Sequence, residues 1–315
     1  MTDVRVGAVC VTGMHRSGTS FAARLLELLG ITFGEPAQLM GPGPDNPAGY
    51  WENRFVKELD DELLACLGGS WDQPPVLGPG WQHDPALDDY RTRAAQVLDD
   101  AFGPESERPE RFAWKDPRLS LLLPFWRTVI PIATSIIVVR DPSEVAASLG
   151  RRNQIPRPHA CLLWLRYLLA ASINDPDHLL LLHRDFFEDL PRTLARIAEH
   201  LQLDAPGRAT ARDAQAQLDP TLRHHDRPPA VPSDDDPLTT LARDVWNEGR
   251  IDAGILPDVL AQALASGWLR SPTDTEALDR ARAKVVELTE RLRKRARARK
   301  AAATPTDARD ADDVS

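Results

Sequence analysis

Cysteine is scarce in this 315-residue chain: Cys10, Cys66 and Cys161 are odd in number and far apart. That usage argues against a disulfide framework or a zinc cluster and for reduced thiols, with Cys10 and Cys161 in apolar runs that would bury them. No stretch approaches the roughly 20 apolar residues needed to span a bilayer. Residues 1–5 run into the first apolar segment without a signal-peptide pattern, so the expectation is a soluble, cytoplasmic protein. The chain also lacks an excess of cations. Its net charge of −9 argues against broad nucleic-acid binding. No internal repeat and no metal-ligand spacing occur, and the tandem His224-His225 reads as a solvated pair in a polar stretch.

What is present is a core and a phosphate loop. Apolar residues make up 42% of the chain, enough for one large α/β domain or two small ones. Four apolar runs read as parallel strands: Val6–Thr12, Arg111–Trp114, Thr134–Val139 and His178–Leu182. The first leads into Gly13-Met14-His15-Arg16-Ser17-Gly18-Thr19-Ser20 and then the helical stretch Phe21–Gly30. Strand, loop and helix in this order aim backbone N–H groups and the positive end of a helix dipole at one anion. The loop departs from the NTPase pattern G-x-x-x-x-G-K-[ST] at one place. Thr19 stands where lysine belongs, and the long cation is Arg16, three residues earlier. A phosphate-bearing ligand is implied, but not an ordinary NTPase.

Asp141-Pro142-Ser143-Glu144 opens a helix after the third strand, with Asp141 as cap, Pro142 in the first position and Glu144 in the capping-box position. Trp164–Ser172 and Leu190–Leu201 read as further helices, and Arg227–Pro237 as a Pro- and Asp-rich loop. The segments Gly34–Asn46 and Gln73–Pro85 are loops long enough to form a mouth or lid. An α/β domain is expected over residues 1–270. A basic helix follows at 275–300, then an acidic, disordered tail at 304–315. Leu278, Ala281, Val285, Leu288 and Leu292 follow the a/d spacing of a short coiled coil. A solvated, partly frayed helix is the first reading, and a helix that pairs two copies into a homodimer or binds a partner is the sharper one. A membrane-surface role for the basic run Arg291–Lys300 is the third.

Four segments stand together: Gly13–Ser20, Asn46–Glu52, Trp114-Lys115-Asp116-Pro117-Arg118, and Val139-Arg140-Asp141-Pro142 with Ser148 on the next helix. Over roughly residues 6–200 they resemble the sulfotransferases that use 3′-phosphoadenosine 5′-phosphosulfate (PAPS). The resemblance implies an α/β, P-loop-like three-layer fold, with a central parallel sheet flanked by helices and a C-terminal helical extension. It implies sulfuryl transfer from PAPS to an acceptor hydroxyl, giving a sulfate ester and PAP, with no metal. Arg16, Ser17, Gly18, Thr19 and Ser20 would hold the 5′-phosphosulfate through amides, hydroxyls and the Arg16 guanidinium. Arg140 and Ser148 would hold the 3′-phosphate. Lys115 would lie at the bridging oxygen.

Many cytosolic members carry a catalytic His two positions after that lysine, where this chain has Pro117. The Lys-Asp-Pro form is similar instead to the tyrosylprotein and bacterial branches, in which a Glu is the proposed base. Glu52 is the candidate here, so the expected catalytic set is Glu52, Lys115 and Arg16. His83, His159 and His183 are alternative bases. Ion pairs of Arg140 with Asp141 or Glu144, and of Lys115 with an acid, are the structural alternatives, as is a helix N-terminal or solvated role for Glu52. The family's C-terminal Arg-Lys-Gly stretch has no counterpart; Trp246–Arg250 is a poor substitute, and Arg151 or Arg152 would supply the cations. The tyrosine that often ends a following strand is absent from Leu182–Phe187. The acceptor would be a small molecule or glycan with a hydroxyl, and carbohydrate, glycolipid, phenol and peptidyl tyrosine all stay open. Trp51, Trp71, Trp81, Phe125 and Trp126 either line its pocket or pack the core and lid. A magnesium-dependent P-loop kinase using ATP and a nucleotide-binding scaffold without turnover are the competing readings.

Overall fold

The computed structural model describes residues 7–44, 46–218 and 237–248. The expected helix at 275–300, the acidic tail, His224-His225 and nearly all of the 227–237 loop lie outside the described residues. In chain order the elements are β1 (Gly7–Thr12), α1 (Thr19–Leu28), α2 (Arg54–Cys66), α3 (Asp88–Phe102), β2 (Arg111–Lys115), α4 (Leu119–Trp126) and β3 (Ile132–Val139). They continue as α5 (Pro142–Asn153), α6 (Arg157–Asn174), β4 (Leu179–Leu182), α7 (Asp185–Glu188), α8 (Leu190–His200), α9 (Arg208–Gln217) and α10 (Pro237–Glu248). The four strands form one parallel sheet in the order β2-β1-β3-β4.

The strands read as unbroken apolar runs because helices cover both faces of the sheet. Successive side chains alternate between the faces. Ala8, Cys10, Phe112, Trp114, Ile137 and Val139 point into one core, with α2 to α6 and α10. Val9, Val11, Ala113, Ile136 and Val138 point into the other, with α1 and α7 to α9. The result is the expected three-layer α/β architecture.

Chain order places β2 on one side of β1 and β3 on the other, so the carboxyl ends of β1 and β3 flank a topological switch point. Ligands of open α/β sheets bind at such points. Asp141 caps α5 as expected, accepting from the Ser143 amide at 2.8 Å. Glu144 does not complete the capping box; it turns to Arg140 instead. Helix α1 starts at Thr19, two residues ahead of the sequence expectation, because Gly18 in the left-handed region (φ 93°) ends the loop there. Helix α6 extends well beyond Trp164–Ser172 and is apolar all round, as a helix enclosed by other helices must be. Cys10 and Cys161 are buried thiols, and no disulfide joins the three cysteines. Among the described residues no helix is long and apolar enough to cross a membrane, and no cluster of His, Cys, Asp and Glu could hold a metal ion.

Candidate functional site

The phosphate loop leaves β1 pressed against β3. At Gly13 (φ 133°) a Cβ would stand 2.3 Å from the Val138 carbonyl oxygen, so only glycine fits. The end of β1 is pinned by the Thr12 hydroxyl, 2.8 Å from the Ser120 hydroxyl. Across the loop the amides of Gly18, Thr19 and Ser20 have no hydrogen-bond partner among the described residues, and they sit at the N-terminus of the ten-residue α1. Unpaired donors at a helix start fit a phosphate or phosphosulfate.

Two expectations need correction. The Ser17 amide is turned back to the Met14 carbonyl (3.2 Å), and its hydroxyl is sealed inside without a partner among the described residues. The Ser20 hydroxyl is also engaged: it donates to the Tyr50 carbonyl and accepts from Asn46 Nδ2, each at 3.1 Å. Ser20 therefore offers an anion its amide, not its side chain.

Arg16 occupies the left-handed region (φ 72°), a conformation costly for a side chain this long and often kept at ligand sites. Its Nε donates to the Ser148 hydroxyl at 2.9 Å, and its carbonyl accepts from Arg140 Nη1 at 3.3 Å. The structure thus joins Arg16, Arg140 and Ser148, which the sequence reading had divided between the two ends of one ligand. Arg140 sits immediately after β3, its carbonyl held by the Trp164 indole N–H at 2.8 Å. Its Nε is paired with Glu144 at 2.5 Å, the ion pair weighed as the structural alternative.

Lys115 ends β2, and Glu52 reaches it from a strap that folds back on itself. Met40 N donates to the Glu52 carbonyl (2.7 Å), and Tyr50 N to the Met40 carbonyl (3.1 Å). Asn53 next in line caps α2, its Oδ1 accepting from Phe55 and Val56 amides, which fixes Glu52 just ahead of the helix. Lys115 Nζ meets Glu52 Oε1 at 2.6 Å, with only 3% and 6% of the two residues exposed.

Beneath this pair lies a buried charged network. Asp116 Oδ1 accepts from the Arg118 amide (2.8 Å) and Nη1 (3.0 Å), and Arg118 Nε pairs with Asp61 at 2.5 Å. Asp60 Oδ1 accepts from the Trp126 indole at 2.8 Å. Burial pushes the Asp60 carboxyl well up from the usual range, and the Asp116 charge pushes it further. Burial also raises Asp116, against the pull of Arg118.

A cavity of about 460 Å³ opens over these residues. The cations Arg16, Arg24, Lys115, Arg140, Arg151 and Arg152 line it, with Glu52 as the one lining carboxylate among the described residues. None of the five aromatics proposed for an acceptor pocket does. Phe125 and Trp126 are core residues, because α4 is buried all round; Trp71 and Trp81 pack against the same core, and Trp51 against Phe33. The aromatic lining is Phe21, Tyr50, Phe186 and Phe187.

Of the histidines weighed as bases, His183 lines the cavity and its ring lies over Gly18, while His83 and His159 do not reach it. His159 contacts the Asp72 carbonyl at 2.7 Å. A histidine not singled out from the sequence, His15, does line it. Its one available signal was a bulky titratable side chain in a loop of small residues. The arrangement as a whole can bind a polyanion and place a buried ammonium–carboxylate pair at one end of it.

No family model and no curated protein matches the chain. Among solved structures it is similar to the sulfotransferase domain of the Synechococcus PCC 7002 olefin synthase. The identity is 19%, over 76% of this chain and 94% of that one, with a TM-score of 0.42. Sulfotransferase STF9 from Mycobacterium avium is similar at 14% identity, over 67% and 69% of the two chains, with a TM-score of 0.46. Retinol dehydratase, in complex with androsterone and the inactive cofactor PAP, is similar at 18% identity, over 67% and 64%, with a TM-score of 0.33. None of these likenesses carries the functional reading, which rests on the side chains of the cavity.

Proposed function

We propose that this chain is a sulfotransferase that moves the sulfuryl group of PAPS to an acceptor hydroxyl, giving a sulfate ester and PAP. One observation carries the reading. A phosphate loop without the NTPase lysine shares a single cation-rich cavity with Arg140 and Ser148, which follow β3. PAPS differs from ATP in its 3′-phosphate, and a second cationic subsite is what that phosphate requires. The unpaired amides of Gly18, Thr19 and Ser20 fit its 5′ end.

Bound there, PAPS supplies an activated sulfonate whose bond to phosphate breaks as the acceptor oxygen attacks. Such a transfer depends mainly on positioning and charge stabilisation. Arg16 and Lys115 neutralise charge gathering on the leaving phosphate and the sulfonate oxygens. Glu52 holds Lys115 at the reacting end and is the carboxylate at hand for the hydroxyl proton. Arg151 and Arg152, both lining the cavity, stand in for the family's missing C-terminal cations. A small molecule or glycan is the acceptor class, and a cytoplasmic location accords with cysteines that form no disulfide.

Calorimetric titration of the full chain with PAP, ATP and ADP, with and without magnesium, tests this. Metal-independent binding of PAP in preference to ATP and ADP is expected. Arg140→Ala should weaken PAP far more than adenosine 5′-phosphosulfate, which lacks the 3′-phosphate. Magnesium-dependent ATP binding without PAP binding would make the chain a kinase instead.

A further inference from the structure

Among the described residues the reacting end of the cavity holds one carboxylate, and that carboxylate is already occupied: Glu52 Oε1 faces the Lys115 ammonium at 2.6 Å in a nearly sealed pocket. His15, two residues into the phosphate loop, lines the same cavity and is differently placed. Its Nε2 is buried and has no hydrogen-bond partner among the described residues. Buried polar atoms without partners are few in native proteins, and each calls for an explanation.

The imidazole is held by packing. Its ring centroid lies 4.6 Å from that of Trp71 and 5.8 Å from that of Tyr167. These two aromatics are themselves tied, the Tyr167 hydroxyl donating to the Trp71 carbonyl at 2.8 Å. Arg166 anchors the following loop to α6 through the Pro74 and Pro75 carbonyls, each at 2.7 Å. A side chain gripped on a rigid support, with its hydrogen-bonding capacity unspent, suits a reacting group better than a structural one.

We propose that His15, a lining residue of the cavity whose Nε2 is sealed, takes the acceptor's proton on its other nitrogen, Nδ1, while Glu52 stays on Lys115 as a positioning residue. The inference rests on the sulfuryl-transfer reading and reassigns one role within it. The step balances. The acceptor oxygen bonds to sulfur, the bond from sulfur to the 5′-phosphate oxygen breaks, its electron pair leaves with PAP, and the hydroxyl proton passes to Nδ1.

The surrounding charges support this. Burial keeps the free imidazole neutral, holding its pKa well below the usual 6.5, and so do the cations facing it: Arg118 ahead of α4, Lys115 at the end of β2, Arg152 of α5 and Lys57 of α2. Arg118 is already balanced by Asp116 and Asp61, and Tyr167 of α6 is neutral. Lys115 and Arg152 line the donor's cavity. A polyanion bound there offsets both, so the proton affinity of His15 rises when donor arrives. The base would thus be neutral when free and stronger when needed.

The test uses the full chain and two probes. PAP is titrated calorimetrically between pH 5 and 7 in buffers of different ionisation enthalpy. PAPS hydrolysis, with water as acceptor, is followed as sulfate release. Wild type should take up protons on binding PAP; His15→Asn should bind PAP within about threefold and lose that uptake. His15→Asn should also hydrolyse PAPS about 10²- to 10⁴-fold more slowly, the range of a placed general base, and added imidazole should rescue His15→Ala. Proton uptake that survives in His15→Asn, or wild-type hydrolysis in that variant with the acidic limb moved in Glu52→Gln, would return the base to Glu52. Absence of PAP binding in wild type would overturn the sulfotransferase reading itself, and this inference with it.

Discussion

The two faces of the sheet are built on different principles. On the face of α1 and α8 the core is hydrocarbon: Leu25, Leu26, Ile136, Leu181, Leu194 and Ile197 are sealed, and polar contacts such as Arg196 to Asp185 stay at the rim. The opposite face buries charge. Asp60, Asp116, Arg118 and Arg166 lie among its helices with 7% exposure or less. Arg166 there serves two carbonyls, and burial brings its pKa down to about 10.

Buried ion pairs are poor sources of stability, since desolvation offsets most of their attraction. Their concentration on one face therefore points to positioning. They lie beneath Lys115, Glu52 and His15, the groups that the proposed reaction needs at fixed angles. The hydrocarbon face carries α1, which in the proposed reading presents amides to an anion. Backbone amides need a firm helix but no side-chain electrostatics.

Three substitutions would break or sharpen this contrast. Lys115→Ala leaves the Glu52 carboxylate buried without its partner, and a loss of about 3–5 kcal/mol in denaturant unfolding is expected, with sulfuryl transfer abolished. Leu194→Ala on the hydrocarbon face should cost about 3 kcal/mol while leaving PAP affinity unchanged. A matching fall in PAP affinity would show that the two faces are not separable. Asp60→Asn should have the smallest effect and the opposite sign. The raised carboxyl binds its proton more tightly folded than unfolded, so its support for the fold is present at low pH and lost as pH rises through the folded value. The amide still accepts from Trp126 and carries no charge. A gain of about 1 kcal/mol is expected at alkaline pH, shrinking toward pH 5, in urea unfolding at each pH.

The sheet was legible because double-sided burial leaves unbroken apolar runs, and Gly13, Gly18 and Asp141 mark where strands give way to helices. The residues gathered at the cavity were also legible: Arg16, Lys115 and Arg140 lie at or just after strand ends, Ser148 sits on the helix after β3, and Glu52 stands just ahead of α2. What pairing they adopt was not. Lys115 and Glu52 are 63 positions apart, and nothing local to either shows that they meet. Phe125 and Trp126 were readable as pocket residues only because their helix is short and its all-round burial depends on neighbours from distant sequence. Ser20 looked like a phosphate ligand because loop hydroxyls usually are; a backbone carbonyl 30 residues away claims it instead.

That last contact has a kinetic meaning. Asn46 and Tyr50 hook the strap that carries Glu52 onto the Ser20 hydroxyl, at the first turn of α1. Were the strap to lift for an acceptor in the proposed reaction, two hydrogen bonds would break on the residue whose amide would face the donor. Under the proposed reaction, order of addition would hang on one hydroxyl group: an acceptor arriving first would have to loosen the donor's cradle, and a donor arriving first would find it intact.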